Sequence, residues 1–250
     1  SFFILVEGYL FSLNLWYIKA ITPLFGFKLL DAWPNDLLID SKSSINIDIM
    51  NFLSIDCSMG IISLFVKHKN KTFIKNMQSD KSNNDLLMKL ILDFFNEINL
   101  KFEDISNIFI NQGPGNFSGL RGSIATAKGI SLSKKLNLIG YNTFILLCAK
   151  FFRKKDFIYS FVKYREKYFM KKFNQNLDND EKIKEVDMDE ILKKYEDKFK
   201  IISKNSINHS DQKILRFNNL SITDLDYNSL EFLELKGLLS KKLIKPIYLS

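Results

Sequence analysis

Between positions 50 and 150 short apolar runs alternate with polar or glycine-containing turns. The runs 52–55, 61–66 and 72–74 read as three consecutive strands, with turns at Cys57-Ser58-Met59-Gly60 and at 67–71. Further strands are predicted at 107–110 and 138–141. Between them the period changes to that of helices. Positions 83–99 carry Leu86, Leu87, Met88, Leu90, Ile91, Leu92, Phe94, Phe95 and Ile98, with Lys89, Asp93, Asn96 and Glu97 on the remaining arc. That apolar arc is much wider than the stripe of about 100° that one core requires. Such a helix is expected to be covered on two sides, by this chain or with help from a partner. Helices are also predicted at 119–135 and 143–152. The order from Met50 is βββαβαβα, a mixed sheet with helices on its faces, which is an α/β domain.

After Lys150 the pattern weakens. Positions 157–162 and 167–173 form a hairpin candidate, 187–198 and 229–241 read as helices, and 201–219 has no clear period. The expected organisation is an N-terminal extension over 1–49, an α/β subdomain over 50–152 and a smaller subdomain over 153–250. No internal repeat is visible. Residues 1–49 hold two apolar, aromatic runs broken by Glu7, Lys19 and Pro23. Neither reaches the roughly 18 apolar residues of a membrane-spanning helix. The start lacks the basic region and cleavage site of a signal peptide.

The stretch Gly113-Pro114-Gly115-Asn116-Phe117-Ser118-Gly119-Leu120-Arg121 lies between a strand and a helix. Proline between two glycines forces a sharp turn, and Ser118 is the expected N-cap. Two readings stay open. Amides at such a turn can cradle an anion, or the loop is simply a tight strand-to-helix turn. It is not a P-loop, because no Lys-Ser or Lys-Thr follows the last glycine, and it is not a G-x-G-x-x-G. On the following helix Ser118, Gly122, Ala125, Thr126, Gly129 and Ser133 share one side. Three glycines in that helix cost about 1 kcal/mol each relative to alanine. A closely packed second helix would offset the loss.

Composition changes this picture little. The 250 residues carry a formal net charge of +8, which permits a nucleic-acid partner without naming one. Cys57 and Cys148 are the only cysteines, and His68 and His209 the only histidines. No disulfide framework, zinc site or His-based metal site is expected, and a reducing cytoplasm is the natural setting. Lys150, Arg153, Lys154, Lys155, Lys163, Arg165, Lys167, Lys171 and Lys172 make a basic stretch with Phe and Tyr interleaved. It reads as a solvated face or as a contact for RNA phosphates.

Two resemblances add to the residues. Trp33-Pro34-Asn35-Asp36-Leu37-Leu38-Ile39-Asp40 resembles a segment of biotin protein ligases. The residue before Trp33 is Ala32 where that family usually has Lys, and the ligase's glycine-rich loop is absent. Residues 1–49 are therefore read either as a remnant or fused fragment without ligase activity, or as sequence upstream of a true start at Met50. From Met50 onward the chain resembles the TsaB (YeaZ) family of tRNA threonylcarbamoyladenosine synthesis. The match rests on G-P-G-N-F-S-G-L-R at 113–121, A-T-A-K-G-I at 125–130, M-N-F-L-S-I-D-C-S at 50–58 and P-I-Y-L at 246–249.

This resemblance implies an actin-like, Hsp70-like ATPase fold of the ribonuclease H-like kind, with a degenerate second subdomain. It implies an accessory subunit without catalysis of its own, supporting the catalytic paralogue TsaD, with the ATPase TsaE as a third partner. It would reach tRNA through the complex and would form a homodimer when alone. No firmly bound cofactor or metal is implied, and ATP or ADP would bind only at a complex interface. The family's D-A-R-x-G-E-V-Y departs here to V-K-Y-R-E-K-Y at 162–168, with Lys163 in place of Asp.

The candidate sites follow. Asp56, Ser58 and Gly113, Pro114, Gly115, Asn116, Phe117, Ser118, Gly119 and Arg121 form a possible anion or nucleotide contact. Asp56 could instead be a turn-forming residue, and Arg121 a partner in an ion pair. Leu87, Ile91, Phe94, Phe95, Gly122, Ala125, Thr126, Gly129 and Ser133 form a candidate partner interface. No catalytic residue is assigned. The alternative is an actin-like ATPase or phosphotransferase using Asp56 and the 113–119 loop.

Overall fold

The computed structural model describes residues 2–6, 9–13, 50–78, 86–165, 167–178, 181–204, 218–241 and 244–249. The ligase-like string at 33–40, positions 83–85 of the first expected helix and His209 lie outside them. Two compact units are present, Ser1–Ile47 and Asp48–Ser250. In the first, β1 (Phe2–Val6) and β2 (Tyr9–Leu13) pair antiparallel.

The second unit contains two five-stranded sheets. The first is built from β3 (Phe52–Asp56), β4 (Ile61–His68), β5 (Lys71–Gln78), β6 (Asn107–Asn111) and β7 (Asn137–Tyr141), in the order β5-β4-β3-β6-β7. β3, β4 and β5 form an antiparallel meander, while β6 and β7 run parallel to β3. Its helices are α1 (Leu87–Glu97), α2 (Phe117–Lys134) and α3 (Thr143–Cys148). The observed order is the βββαβαβα read from the sequence. β3 and β6 are buried along their whole length, as strands covered by helices on both faces must be.

The second sheet contains β8 (Phe157–Tyr164), β9 (Lys167–Asn174), β10 (Lys184–Val186), β11 (Lys200–Ser203) and β12 (Leu220–Thr223), in the order β10-β9-β8-β11-β12. β8, β9 and β10 again form the meander, and β11 and β12 are parallel to β8. The topology of the first sheet is thus repeated, although no sequence repeat announces it. Two further helices, α4 (Met188–Lys194) and α5 (Ser229–Leu235), complete this half.

Three apolar clusters order the layers. Leu53, Ile55, Ile108 and Ile110 pack with α1 and α2 on one face of the first sheet. Its other face, through Phe52, Phe109 and Tyr141, shares a core with α3, α5 and the inner face of the second sheet. The outer face of the second sheet packs with α4 through Phe161, Tyr168 and Ile191. The sequence of layers is helices, sheet, helices, sheet, helix. α3 is short because its last turn tightens into a 3-10 turn at Ala149–Phe151.

Candidate functional site

The glycine loop leaves the end of β6 and opens α2, and the peptide before Pro114 is cis. The N-cap of α2 is Asn116, not Ser118. Asn116 has extended backbone, and its Oδ1 accepts from the Ser118 amide at 3.2 Å. Ser118 lies inside the first turn and is exposed. Asn wins the position because its carbonyl reaches the second amide of the helix.

The glycines serve backbone packing. A Cβ on Gly115 would lie 2.0 Å from the carbonyl oxygen of Ser58, and one on Gly119 would lie 2.7 Å from that of Cys57. Gly113 has φ +108, where L side chains are strained. The loop's amides are largely committed. Gly113 N donates to Asn111 Oδ1 at 2.8 Å, and Asn116 N donates to the Ser58 carbonyl at 2.9 Å. Pro114 has no N–H to offer. The C-terminal segment crosses the loop: Ile247 N donates to the Gln112 carbonyl at 2.7 Å, and the Gln112 amide nitrogen donates to the Lys245 carbonyl at 2.8 Å.

Asp56 closes β3 and is 3% exposed. Four donors converge on its carboxyl group. Oδ1 accepts from the Ser58 amide at 2.9 Å and the Ser58 hydroxyl at 2.7 Å. Oδ2 accepts from Asn111 Nδ2 at 2.8 Å and from the Tyr227 hydroxyl at 3.2 Å. Asn111 Nδ2 also donates to Thr143 Oγ1 at 3.0 Å. Burial, and then the Asp56 charge, pushes the phenols of Tyr141 and Tyr227 well above their usual range, so both remain O–H donors. Asp56 is a turn former with a full set of buried partners, and its lone pairs are occupied from within the chain. Asn111, Thr143 and Tyr227 were absent from the sequence reading. Asn111 had a signal, as the polar residue ending an apolar strand directly before the glycines; Tyr227, from α5's approach, had none.

Cys57 is buried, and burial followed by the Asp56 charge pushes its thiol up to about 12, which suits a packing residue and not a nucleophile. Glu103 and Asp104 do not form a carboxylate pair. Glu103 pairs with Lys134 at 2.9 Å, and Asp104 Oδ2 accepts from the Lys101 amide at 2.7 Å. Arg121 makes no ion pair among the described residues. Its guanidinium lies 4.8 Å from the centre of the Phe117 ring, which itself stacks on Tyr248 at 5.0 Å.

The candidate interface divides. Leu87, Ile91, Phe94 and Phe95 are 0–3% exposed and belong to the chain's own core. They are withdrawn from the interface, because the wide apolar arc of α1 is spent mainly on the first sheet and α2. Leu86, on one flank of the buried stripe of α1, and Met88 and Leu92, on the other, are each more than 40% exposed, with exposed Lys89 and Asn96 on the outward side between them. The small face of α2 is outward as the sequence suggested. Ala125, Gly129 and Ser133 are exposed, Gly122 and Thr126 are half-buried, and Leu132 beside them is 82% exposed. A Cβ on Gly122 or Gly129 would meet nothing within 4 Å.

Among the described residues no three His, Cys, Asp or Glu side chains gather in a way that could hold a metal ion. No described helix is long and apolar enough to cross a membrane. His68 contacts the Asp104 carbonyl through Nδ1 at 3.1 Å.

The two halves form a duplicated, ribonuclease H-like architecture of the actin-like kind, and the carboxylate at its first strand end is enclosed by its own chain. Comparison with known proteins narrows the class. Two solved structures are similar to this chain: YeaZ from Pseudomonas aeruginosa, at TM-score 0.60 and 13% identity over 80% of this chain and 100% of the other, and an uncharacterized protein with similarity to peptidase YEAZ from the same species, at TM-score 0.61 and 12% identity over 81% and 100%. The tRNA threonylcarbamoyladenosine biosynthesis protein TsaB of Buchnera aphidicola subsp. Baizongia pistaciae is 32% identical over 101 residues, 39% of this chain and 45% of that protein. Its counterpart from subsp. Acyrthosiphon pisum is 24% identical over 127 residues, 50% of this chain and 58% of that protein. The chain thus spans about half the length of the curated relatives it matches. Residues 77–157 match the family model for TsaD, tRNA N6-adenosine threonylcarbamoyltransferase. The chain is thus similar in sequence to part of these TsaB proteins and similar in fold to YeaZ.

Proposed function

We propose that the chain is an accessory, non-catalytic subunit in the synthesis of threonylcarbamoyladenosine on tRNA, and that it pairs with a TsaD-type subunit in the cytoplasm. The observation that carries this is the outward surface of α1 and α2. Gly122 and Gly129 face open space in a helix that alanine would stabilise, with Leu132, three residues beyond Gly129, 82% exposed. An apolar group beside a stripe without side chains fits a second helix lying close. A TsaE-type ATPase would join the complex, nucleotide would bind only where subunits meet, and tRNA would be reached through the assembly. A second copy of this chain would cover the same face when no partner is present.

The ATPase reading loses support from Asp56, whose carboxylate already has four donors within the chain. Co-expression with a TsaD-type subunit tests the proposal. The wild-type chain is expected to co-elute, and Gly122→Leu and Gly129→Leu are expected to be lost from the complex while keeping their unfolding midpoint within a few degrees. Undiminished co-elution of both variants would sink the assignment of the surface.

A further inference from the structure

The far end of the second sheet, where β8 and β11 begin, is ringed by cations that rest on phenylalanine faces. Arg153 lies 5.3 Å from the centre of the Phe152 ring, and Lys236 approaches the same ring at 5.8 Å. Lys155 sits 4.8 Å from the Phe199 ring, and Lys172 sits 4.4 Å from that of Phe157. Phe152 meets Phe232 edge-on at 5.2 Å, and Phe199 meets Phe151 at 4.9 Å. Main-chain bonds from Arg153 to Gln175 and from Tyr159 to Phe199 tie these segments together.

Lys172 pairs with Glu181 at 3.6 Å. Arg153, Lys155 and Lys236 make no ion pair among the described residues, and Asp156 is the single acid beside four cations between positions 150 and 156. A ring holds a cation without neutralising it. The belt therefore presents positioned charges whose side-chain freedom is already reduced, and Phe157 beside them is 52% exposed. Fixed cations beside a half-exposed phenylalanine suit an RNA, whose phosphates take the charge and whose unpaired bases stack.

We propose that this belt is a direct docking surface for transfer RNA, so that the accessory subunit itself holds part of the substrate. The identity of the RNA rests on the proposed function; the electrostatic argument does not. Contact would run through the phosphate backbone at Arg153, Lys155 and Lys236, with Phe157 available to an unstacked base. This places the RNA on the second sheet and leaves the α1–α2 face for the protein partner.

The test uses the full chain and fluorescently labelled bulk transfer RNA, followed by anisotropy across a salt series. The triple variant Arg153→Gln, Lys155→Gln, Lys236→Gln keeps stems that still cover the rings. Lys71→Gln, Lys75→Gln, Lys101→Gln removes the same charge from the first half. The belt variant is expected to bind at least about tenfold more weakly, and its salt slope to fall by about 2, near the 0.7–0.9 per phosphate contact expected for three contacts. The control variant should change affinity no more than about twofold. Equal losses in the two variants, an unchanged slope, no binding by the wild type, or equal belt-dependent binding to anionic vesicles or polyglutamate would each overturn the proposal. Thermal unfolding checks that both variants fold. Co-elution with the TsaD-type subunit is scored separately: its failure in the wild type would remove the functional reading, whereas loss of RNA binding with intact co-elution would remove only the docking surface.

Discussion

Alanine at Gly122 and Gly129 is the most direct probe of why α2 carries glycine where helix chemistry disfavours it. Both positions lie inside Phe117–Lys134, and neither has atoms of other elements within 4 Å of a built Cβ. Nothing in the chain opposes the extra methyl groups, so each substitution is expected to recover the helix-propensity difference of about 1 kcal/mol. Seven residues separate the sites, about 10 Å along the axis, far enough for the effects to add to about 2 kcal/mol. For a unit of this size about 2–4 °C accompanies each kcal/mol, so the double variant should melt roughly 4–8 °C higher. The measurement is thermal and urea unfolding of the isolated chain, at a dilution where light scattering shows a monomer. The same methyl groups would hold a partner helix away. The stabilised double alanine variant should therefore bind a TsaD-type subunit more weakly, and leucine should abolish binding. A double alanine variant no more stable than wild type would refute the reasoning, because it would mean the glycine backbone is needed within the chain.

Gly115 and Gly119 should respond in the opposite sense. Gly115→Ala drives a methyl into the Ser58 carbonyl and is expected to cost about 3 kcal/mol or more, or to prevent folding; a normal urea midpoint would show that the loop can shift away from the 57–58 turn. Tyr227→Phe removes one donor from Asp56 and keeps the ring contact with Phe65 at 5.7 Å. The expected loss is about 1.5–3 kcal/mol, the range for a hydrogen bond to a charged group, and an unchanged midpoint would mean Asp56 is held without it. The buried Cys57 thiol, raised to about 12, stays neutral in the folded chain. Its stabilising contribution is complete below the unfolded thiol value of about 8.5 and is lost as pH rises from there towards about 12. Stability should fall over that window, Cys57→Ala should flatten part of the fall, and thiol reagents at pH 8 should label the native chain no faster than it unfolds.

The first sheet was legible because each of its elements carries its own period. Three apolar runs with short turns, a broad amphipathic helix and a strand-glycine-helix passage leave few topologies open. In the second sheet only the β8–β9 hairpin, expected at 157–162 and 167–173, was legible. β10, β11 and β12 are three or four residues long, too short for alternation to show, and their burial is decided by partners distant in sequence. The same limit explains the interface. Periodicity identified an apolar arc on α1 but could not say which part faces the sheet, so Leu87, Ile91, Phe94 and Phe95 were assigned to a partner when the chain itself covers them. On α2 the small stripe called for a closely packed helix, but periodicity could not say whether that helix lies in this chain; Ala125, Gly129 and Ser133 prove to be exposed. The cap at Asn116 was missed because Ser118 fits the usual pattern equally well, and only the backbone at the end of the loop decides between them.

The repeated topology sharpens why the polar centre at Asp56 is enclosed. Ligands of α/β sheets gather at the carboxyl ends of parallel strands. In the first sheet those ends are Asp56 and Asn111, the step after the Ile55–Ile110 pair. In the second sheet the corresponding step after Phe161–Ile202 brings Val162 and Ser203. Val162 is fully buried in the shared core, and the buried Ser203 hydroxyl has no hydrogen-bond partner among the described groups. The second half therefore supplies no carboxylate opposite the first. Asp56 is left with neighbours from its own half and with Tyr227, whose hydroxyl completes its donor set. Any outside cation or phosphate-bound metal at that carboxylate would have to displace buried hydrogen bonds worth about 1–3 kcal/mol each. The same arrangement fixes the 57–58 turn, against which Gly115 and Gly119 pack, and so sets where α2 begins. The old strand-end position then works as a brace: it holds in register the helix whose outward face is proposed to meet the partner.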